Sequence, residues 1–148
     1  LNFKPLPDRS GFFYGDTRMT SGFKKIFETK NAPAPIGPYS QAVEAGGFLF
    51  CSGQIPLDPA NGQILSGGVG EQAELAMKNV GALLTAAGLD YGNIVKTTIF
   101  LTDMGDFPSV NEVYGKYFKA DPPARSTVAV AGLPRGVKVE IEVTARRP

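Results

Sequence analysis

The amino-acid sequence predicts an α+β domain: a mainly antiparallel mixed sheet with two helices packed on one of its faces. Two stretches repeat apolar residues at helical spacing, and short runs of strand length, alternating or wholly apolar, surround them. Glycine and proline clusters punctuate the boundaries. The 148 residues, 43% apolar and 20% charged, suit one sizeable core and are short for two.

Residues 1–18 stand apart. They are rich in glycine, proline and charge, include Asp8 and Asp16, and hold no apolar signal core. They read as an N-terminal extension, native or appended, and Met19-Thr20-Ser21 would make an ordinary start for a domain over 19–148. A first strand is expected over 23–28, followed by a rigid loop whose prolines 33, 35 and 38 and Gly37 forbid regular structure. Strands over 41–45 and 48–52 flank Gly46-Gly47, a hairpin signal. Residues 57–70 read as loop, with Asn61-Gly62 as a turn and Gly67-Gly68-Val69-Gly70 as a second turn rather than a phosphate cradle.

A helix is expected over 71–87, where Ala73, Ala76, Met77, Val80, Leu83, Leu84 and Ala87 form one apolar stripe. Glu71 and Glu74 suit its positive end, and Gly88-Leu89 suits its C-terminal cap. Residues 94–102 alternate Val95, Thr97, Ile99 and Leu101 against Lys96, Thr98 and Phe100, the period of a strand. Asp106 and Pro108 open a second helix, whose Val110, Val113, Tyr114, Tyr117 and Phe118 share a face until Asp121-Pro122-Pro123 ends it. Two strands close the chain, over 124–131 and 137–145; in the last, Val139, Ile141 and Val143 oppose Lys138, Glu140 and Glu142.

Residues 48–51 and 128–131 are apolar on both faces, yet two helices shield only one face of a sheet. The other face is therefore expected to meet further copies of the chain in a closed cyclic assembly.

Missing residue types narrow the chemistry. With no histidine, Ser-His-Asp and Cys-His nucleophile systems and His-ligated metals are ruled out, and one cysteine rules out Cys-x-x-Cys redox and Cys-rich zinc sites. Cys51, within Phe48-Leu49-Phe50-Cys51, reads as a core thiol in a reducing compartment, cytoplasmic or organellar. A net charge of +1 argues against a nucleic-acid footprint, and no apolar run reaches bilayer length. A cofactor-free, metal-free site is the expectation for any enzyme built from this set.

Arg125 heads the run Ala124-Arg125-Ser126-Thr127-Val128-Ala129-Val130-Ala131, which reads as a buried strand. A guanidinium there must be paired or wet, because a lone buried cation costs several kcal/mol or more. Its planar fork suits a carboxylate held by two parallel hydrogen bonds. The next strand carries Glu140. The two groups either neutralise one another or frame a pocket for a small acid.

The segments Asn31-Ala-Pro-Ala-Pro-Ile-Gly-Pro-Tyr39-Ser-Gln41, Cys51-Ser-Gly-Gln-Ile-Pro56, Ile94-Val-Lys-Thr-Thr98, Phe107-Pro-Ser-Val-Asn111, Pro123-Ala-Arg-Ser126 and Val137-Lys-Val-Glu-Ile-Glu142 resemble the RidA (YjgF) family of reactive-imine deaminases. The resemblance spans residues 25–146, several motifs in order. It implies a chorismate-mutase-like fold and a homotrimer whose sheets form a central barrel with three sites between subunits. It further implies hydrolysis of 2-imino acids and their enamine tautomers, such as 2-iminobutanoate and 2-iminopropanoate, to 2-oxo acids and ammonia, without a cofactor.

On the matching positions, Arg125 would clamp the substrate carboxylate, and Glu140 would steer water or pass a proton. Tyr39, Asn111 and the backbones of Gly53 and Thr127 would line the pocket. Many relatives carry cysteine at the position of Thr127; a water mechanism through Glu140 needs no thiol there. Two other function classes stay open: a small-carboxylate-binding regulatory module without catalysis, and an RNA-directed endoribonuclease or translation inhibitor.

Overall fold

A computed structural model describes residues 17–20 and 22–148 of the chain. Its elements are β1 (Thr17–Thr20), β2 (Lys24–Phe27), β3 (Ala42–Ala45), β4 (Phe48–Gln54), α1 (Val69–Ala86), β5 (Ile94–Leu101), α2 (Phe107–Gly115), β6 (Ala124–Ala129) and β7 (Val139–Arg146). The strands form one sheet in the order β1-β2-β3-β4-β7-β5-β6. Every pairing is antiparallel except β5 with β6, whose parallel alignment needs a crossover, supplied by α2.

The helical stripe folds as its spacing dictates. Ala73, Ala76, Met77, Val80, Leu83 and Leu84 are fully buried, and α1 packs on β4, β7 and α2. Glu71 reaches back to accept a hydrogen bond from the Gly68 backbone N–H at 2.9 Å. At the other end Gly88 takes φ +70°, the left-handed region open to glycine. Gly88 N–H then bonds Thr85 O and Leu89 N–H bonds Leu84 O, closing the helix with Leu89 buried. Behind the helices Ile99, Leu101, Val139, Ile141 and Ala145 complete the core.

Among the described residues nothing covers the opposite face of the sheet. Register places Phe100 beside both Glu140 and Val128, and Phe50 beside both Val43 and Thr144. On this face Phe48, Phe50 and Val128 are 37%, 50% and 41% exposed, which is the bare apolar surface expected from the sequence.

Strand β1 is not among the expected strands; it pairs with β2, and its four residues, Thr-Arg-Met-Thr, carry too little apolar pattern to announce one. The other residues of the expected extension, 1–16, lie outside the described residues. Three expectations are corrected. Val95 is exposed rather than inward, because a register shift between Ile94 and Lys96 turns it out and puts Ile94 in the core. The run 124–131 is not a buried strand: β6 ends at Ala129, sits at the sheet edge with β5 as its sole partner, and has no buried residue. Finally, α2 ends at Gly115, so Tyr117 and Phe118 reach the core from the turn beyond it.

Candidate functional site

Arg125 lies in β6 opposite Thr97 of β5, on the helix side of the sheet. Residues Phe107, Asn111 and Tyr114 of α2 are spaced four and three apart and so share a helix face. That face clasps the guanidinium. Nη1 donates to Asn111 Oδ1 at 2.9 Å, and the cation lies 4.8 Å from the Tyr114 ring centre and 5.4 Å from that of Phe107. Tyr114 is itself fixed, its hydroxyl 3.1 Å from Thr97 Oγ1. Among the described residues the ion pairs are Lys78–Glu74 and Arg147–Glu44, so Arg125 has no carboxylate partner. A cavity of about 420 Å³ opens beside it, lined by Asn111, Tyr114, Phe118 and Pro123. The Arg125–Glu140 pair that the sequence left open does not form within the chain.

Glu140 is placed elsewhere. It projects from β7 on the uncovered face, into a cavity of about 680 Å³ that also takes in Tyr39, Gly53, Gln54, Arg135 and Glu142. Gly53 stands at the register shift in β4, where a methyl group would overlap Glu140 Oε1. The carboxylate therefore lies directly over that glycine backbone. Burial raises the pKa of Glu140 above the usual carboxylate value, and the charge of Glu142 two residues along adds to the rise.

The loop before β3 forms one wall of this cavity through Pro33, Ala34, Ile36 and Tyr39. Gln41 anchors it. Buried at the start of the hairpin, its amide accepts from Thr29 N–H at 2.7 Å and donates to the carbonyls of Thr29, Ala32 and Pro33. Ser52 adds a 2.6 Å bond to Ser40 O. Tyr39 is half exposed, with its hydroxyl 3.4 Å from the Ile36 N–H.

Five of the six expected site residues thus fall into two groups, Arg125 with Asn111 and Glu140 with Tyr39 and Gly53. The two groups occupy opposite faces of the sheet, since Val128 shares a row with Glu140 and Arg125 is three residues from it. Thr127 lines neither cavity; its hydroxyl is buried without a partner on the helix side. Sequence reasoning missed Gln41, Gln54 and Arg135 as parts of the larger cavity, and Phe107 and Tyr114 as the aromatic clasp. The clasp was discoverable from the helical spacing of Asn111, but only after Arg125 had been placed beside that helix. Gln54 is buried, donates to Ser52 O and Gly53 O, and leaves Oε1 unpartnered.

No group of three or more histidine, cysteine, aspartate or glutamate side chains is gathered to hold a metal among the described residues. Cys51 is buried, and burial pushes its pKa up to about 12, which keeps it a thiol rather than a nucleophile. No helix among the described residues is long and apolar enough to cross a membrane.

Residues 29–147 match the family described as endoribonuclease L-PSP. A mouse protein named 2-iminobutanoate/2-iminopropanoate deaminase is 53% identical over 127 residues, covering 86% of this chain and 94% of its own length. The human protein of the same name is 50% identical, covering 86% and 93%. Among solved structures, Escherichia coli TdcF with bound serine superposes with a TM-score of 0.80 at 49% identity, covering 83% of this chain and 98% of its own.

Proposed function

The chain belongs to the RidA (endoribonuclease L-PSP) family, and we propose that it hydrolyses reactive 2-imino acids to 2-oxo acids and ammonia. The observation that carries this reading is Arg125: a guanidinium oriented on three sides by Asn111, Phe107 and Tyr114, yet without a carboxylate partner among the described residues. Such a group is prepared for an external carboxylate, which it can grip with two parallel N–H donors. The relatives named for 2-iminobutanoate and 2-iminopropanoate act on molecules that carry one, and serine, bound in the Escherichia coli neighbour, carries one too.

The complete site forms between copies. Arg125 and Asn111 of one subunit face Glu140, Gly53 and Tyr39 of the next, with the bare sheet faces turned inward as a trimeric barrel. The substrate carboxylate binds Arg125, and the backbone N–H groups of Gly53 and Thr127 orient it. Glu140 holds the water that adds to the iminium carbon. One water proton moves through Glu140 to the nitrogen; as the carbon–nitrogen bond breaks, the remaining hydroxyl proton passes by way of Glu140 to the departing ammonia, so the carbonyl forms and ammonium leaves. The iminium carbon is already electrophilic, so positioning and an acid–base contribution of roughly 10²–10⁴-fold suffice.

The test is a coupled assay in which 2-iminobutanoate and 2-iminopropanoate are generated in situ and their loss is followed. Arg125→Lys is expected to raise KM, because the fork is gone while the charge remains; Glu140→Gln is expected to lower kcat by about 10²-fold or more. An unchanged rate in Glu140→Gln would end the catalytic role of Glu140, whereas wild-type protein that binds 2-oxobutanoate without speeding imine loss would be a carboxylate-binding module without catalysis. The family description also keeps an RNA-directed reading in play. That activity needs a basic groove with stacking aromatics, whereas the larger cavity holds two carboxylates and one arginine. Absence of RNA binding at both low and high salt is the expected result.

A further inference from the structure

We infer that Arg135 is a second carboxylate-binding group of this site, and that the substrates include imines of dicarboxylic amino acids. The inference rests on the imine-hydrolase reading above and extends it to the substrate side chain.

Arg135 lines the same cavity as Glu140 but belongs to the turn between β6 and β7. Its backbone takes φ 57° and ψ 20°, the left-handed region that a residue with a side chain adopts seldom and at a cost. Gly136 follows at φ 69°, and Pro134 precedes it, so the turn is tightly specified. Nη1 donates to Gly62 O at 3.3 Å, which ties the side chain to the neighbouring Asn61-Gly62 turn. That bond uses one of five guanidinium N–H donors. Among the described residues no carboxylate lies within ion-pair distance of Arg135, although Glu140 and Glu142 line the same cavity. Arg135 is exposed, but its side chain is fixed at the cavity wall with donors to spare, which suits it to receive an anion entering that cavity.

Size agrees. A three- or four-carbon imino acid has six or seven non-hydrogen atoms and, at about 30 Å³ apiece as for water, fills on the order of 200 Å³. The cavity measures about 680 Å³ before the Arg125 half-site is added. Ile36, Ile55, Leu57 and Pro134 line the same cavity, apolar surface suited to the methylenes of a longer substrate. With the α-carboxylate on Arg125 of one subunit, a side-chain carboxylate reaches Arg135 of the other. The reaction is unchanged: water adds, ammonium leaves, and a 2-oxo dicarboxylate is released.

The experiment compares 2-iminobutanedioate, generated in situ from aspartate by an amino-acid oxidase, with 2-iminobutanoate as the reference. Arg135→Asn removes the cation but tolerates the left-handed backbone, and Arg135→Lys keeps the charge. The wild type is expected to hydrolyse both imines. Arg135→Asn is expected to lose about tenfold or more in kcat/KM on the dicarboxylate, as for one charge-assisted hydrogen bond, with less than a twofold change on 2-iminobutanoate. Arg135→Lys should recover part of the loss. Equal effects on both imines, no effect on either, or a wild type active on 2-iminobutanoate alone would overturn the assignment. Binding supplies a readout independent of turnover: calorimetry should show 2-oxopentanedioate held more tightly than 2-oxobutanoate, with the difference abolished in Arg135→Asn. Equal affinities overturn the role of Arg135. Inactivity on both imines with the affinity difference intact overturns the hydrolase reading instead.

Discussion

Under the proposed mechanism, removing the Asn111 side chain separates binding from chemistry. It touches the Arg125 guanidinium through a single 2.9 Å bond and lies on the other sheet face from Glu140. Asn111→Ala should therefore raise KM about tenfold or more while kcat changes little, as for loss of a hydrogen bond to a charged group worth about 1.5–3 kcal/mol. Gly53→Ala should act the other way, because its methyl would push Glu140 from the backbone it rests on; kcat should fall with the fold intact by circular dichroism. Glu140 also makes a stability prediction. Its pKa is raised in the folded chain by burial and then by Glu142, so ionising it costs more in the folded state than in the unfolded one. Stability contributed by its protonated form is present at low pH and falls as pH rises from the ordinary carboxylate range through the raised value. Glu140→Gln should accordingly raise Tm at pH 7 to 8 and leave it nearly unchanged at pH 4, while activity is lost. Arg125 and Glu140 could be picked out from the sequence as chemically exposed oddities in apolar or alternating strands. Arg135 could not, since a charge in a Pro-Arg-Gly turn looks like any solvated loop.

The helices were readable in advance because a long amphipathic stripe and a glycine cap are local signals. Two substitutions test that logic. Leu84→Ala, at a fully buried position on α1, should cost about 2–5 kcal/mol in denaturant unfolding. Gly88→Ala should cost about 1 kcal/mol, because alanine at φ +70° is strained where glycine is not. The strands were less readable, since their fate depends on partners far away in sequence. Val95 alternates correctly on paper, yet the shift between Ile94 and Lys96 reverses its side. Residues 124–131 look buried because they are apolar, but sheet order puts β6 at an edge. Apolar content at that edge does not make it part of the chain's own core, and the proposed trimer would use it as an interface.

The proposed trimer reconciles these observations. Among the described residues the sheet has one clothed face and one bare apolar face, and the two candidate half-sites lie on opposite sides of it. Phe50→Asp, in the middle of the bare face, should shift sedimentation from a trimer toward the 15.7 kDa chain and abolish activity without touching either half-site. The closing test mixes two inactive proteins, Arg125→Ala and Glu140→Gln, under conditions that exchange subunits. If each site takes Arg125 from one copy and Glu140 from its neighbour, random trimers restore about one quarter of wild-type activity, since one interface in four pairs the two intact halves. A mixture that exchanges subunits yet stays as inactive as its components would contradict a shared site.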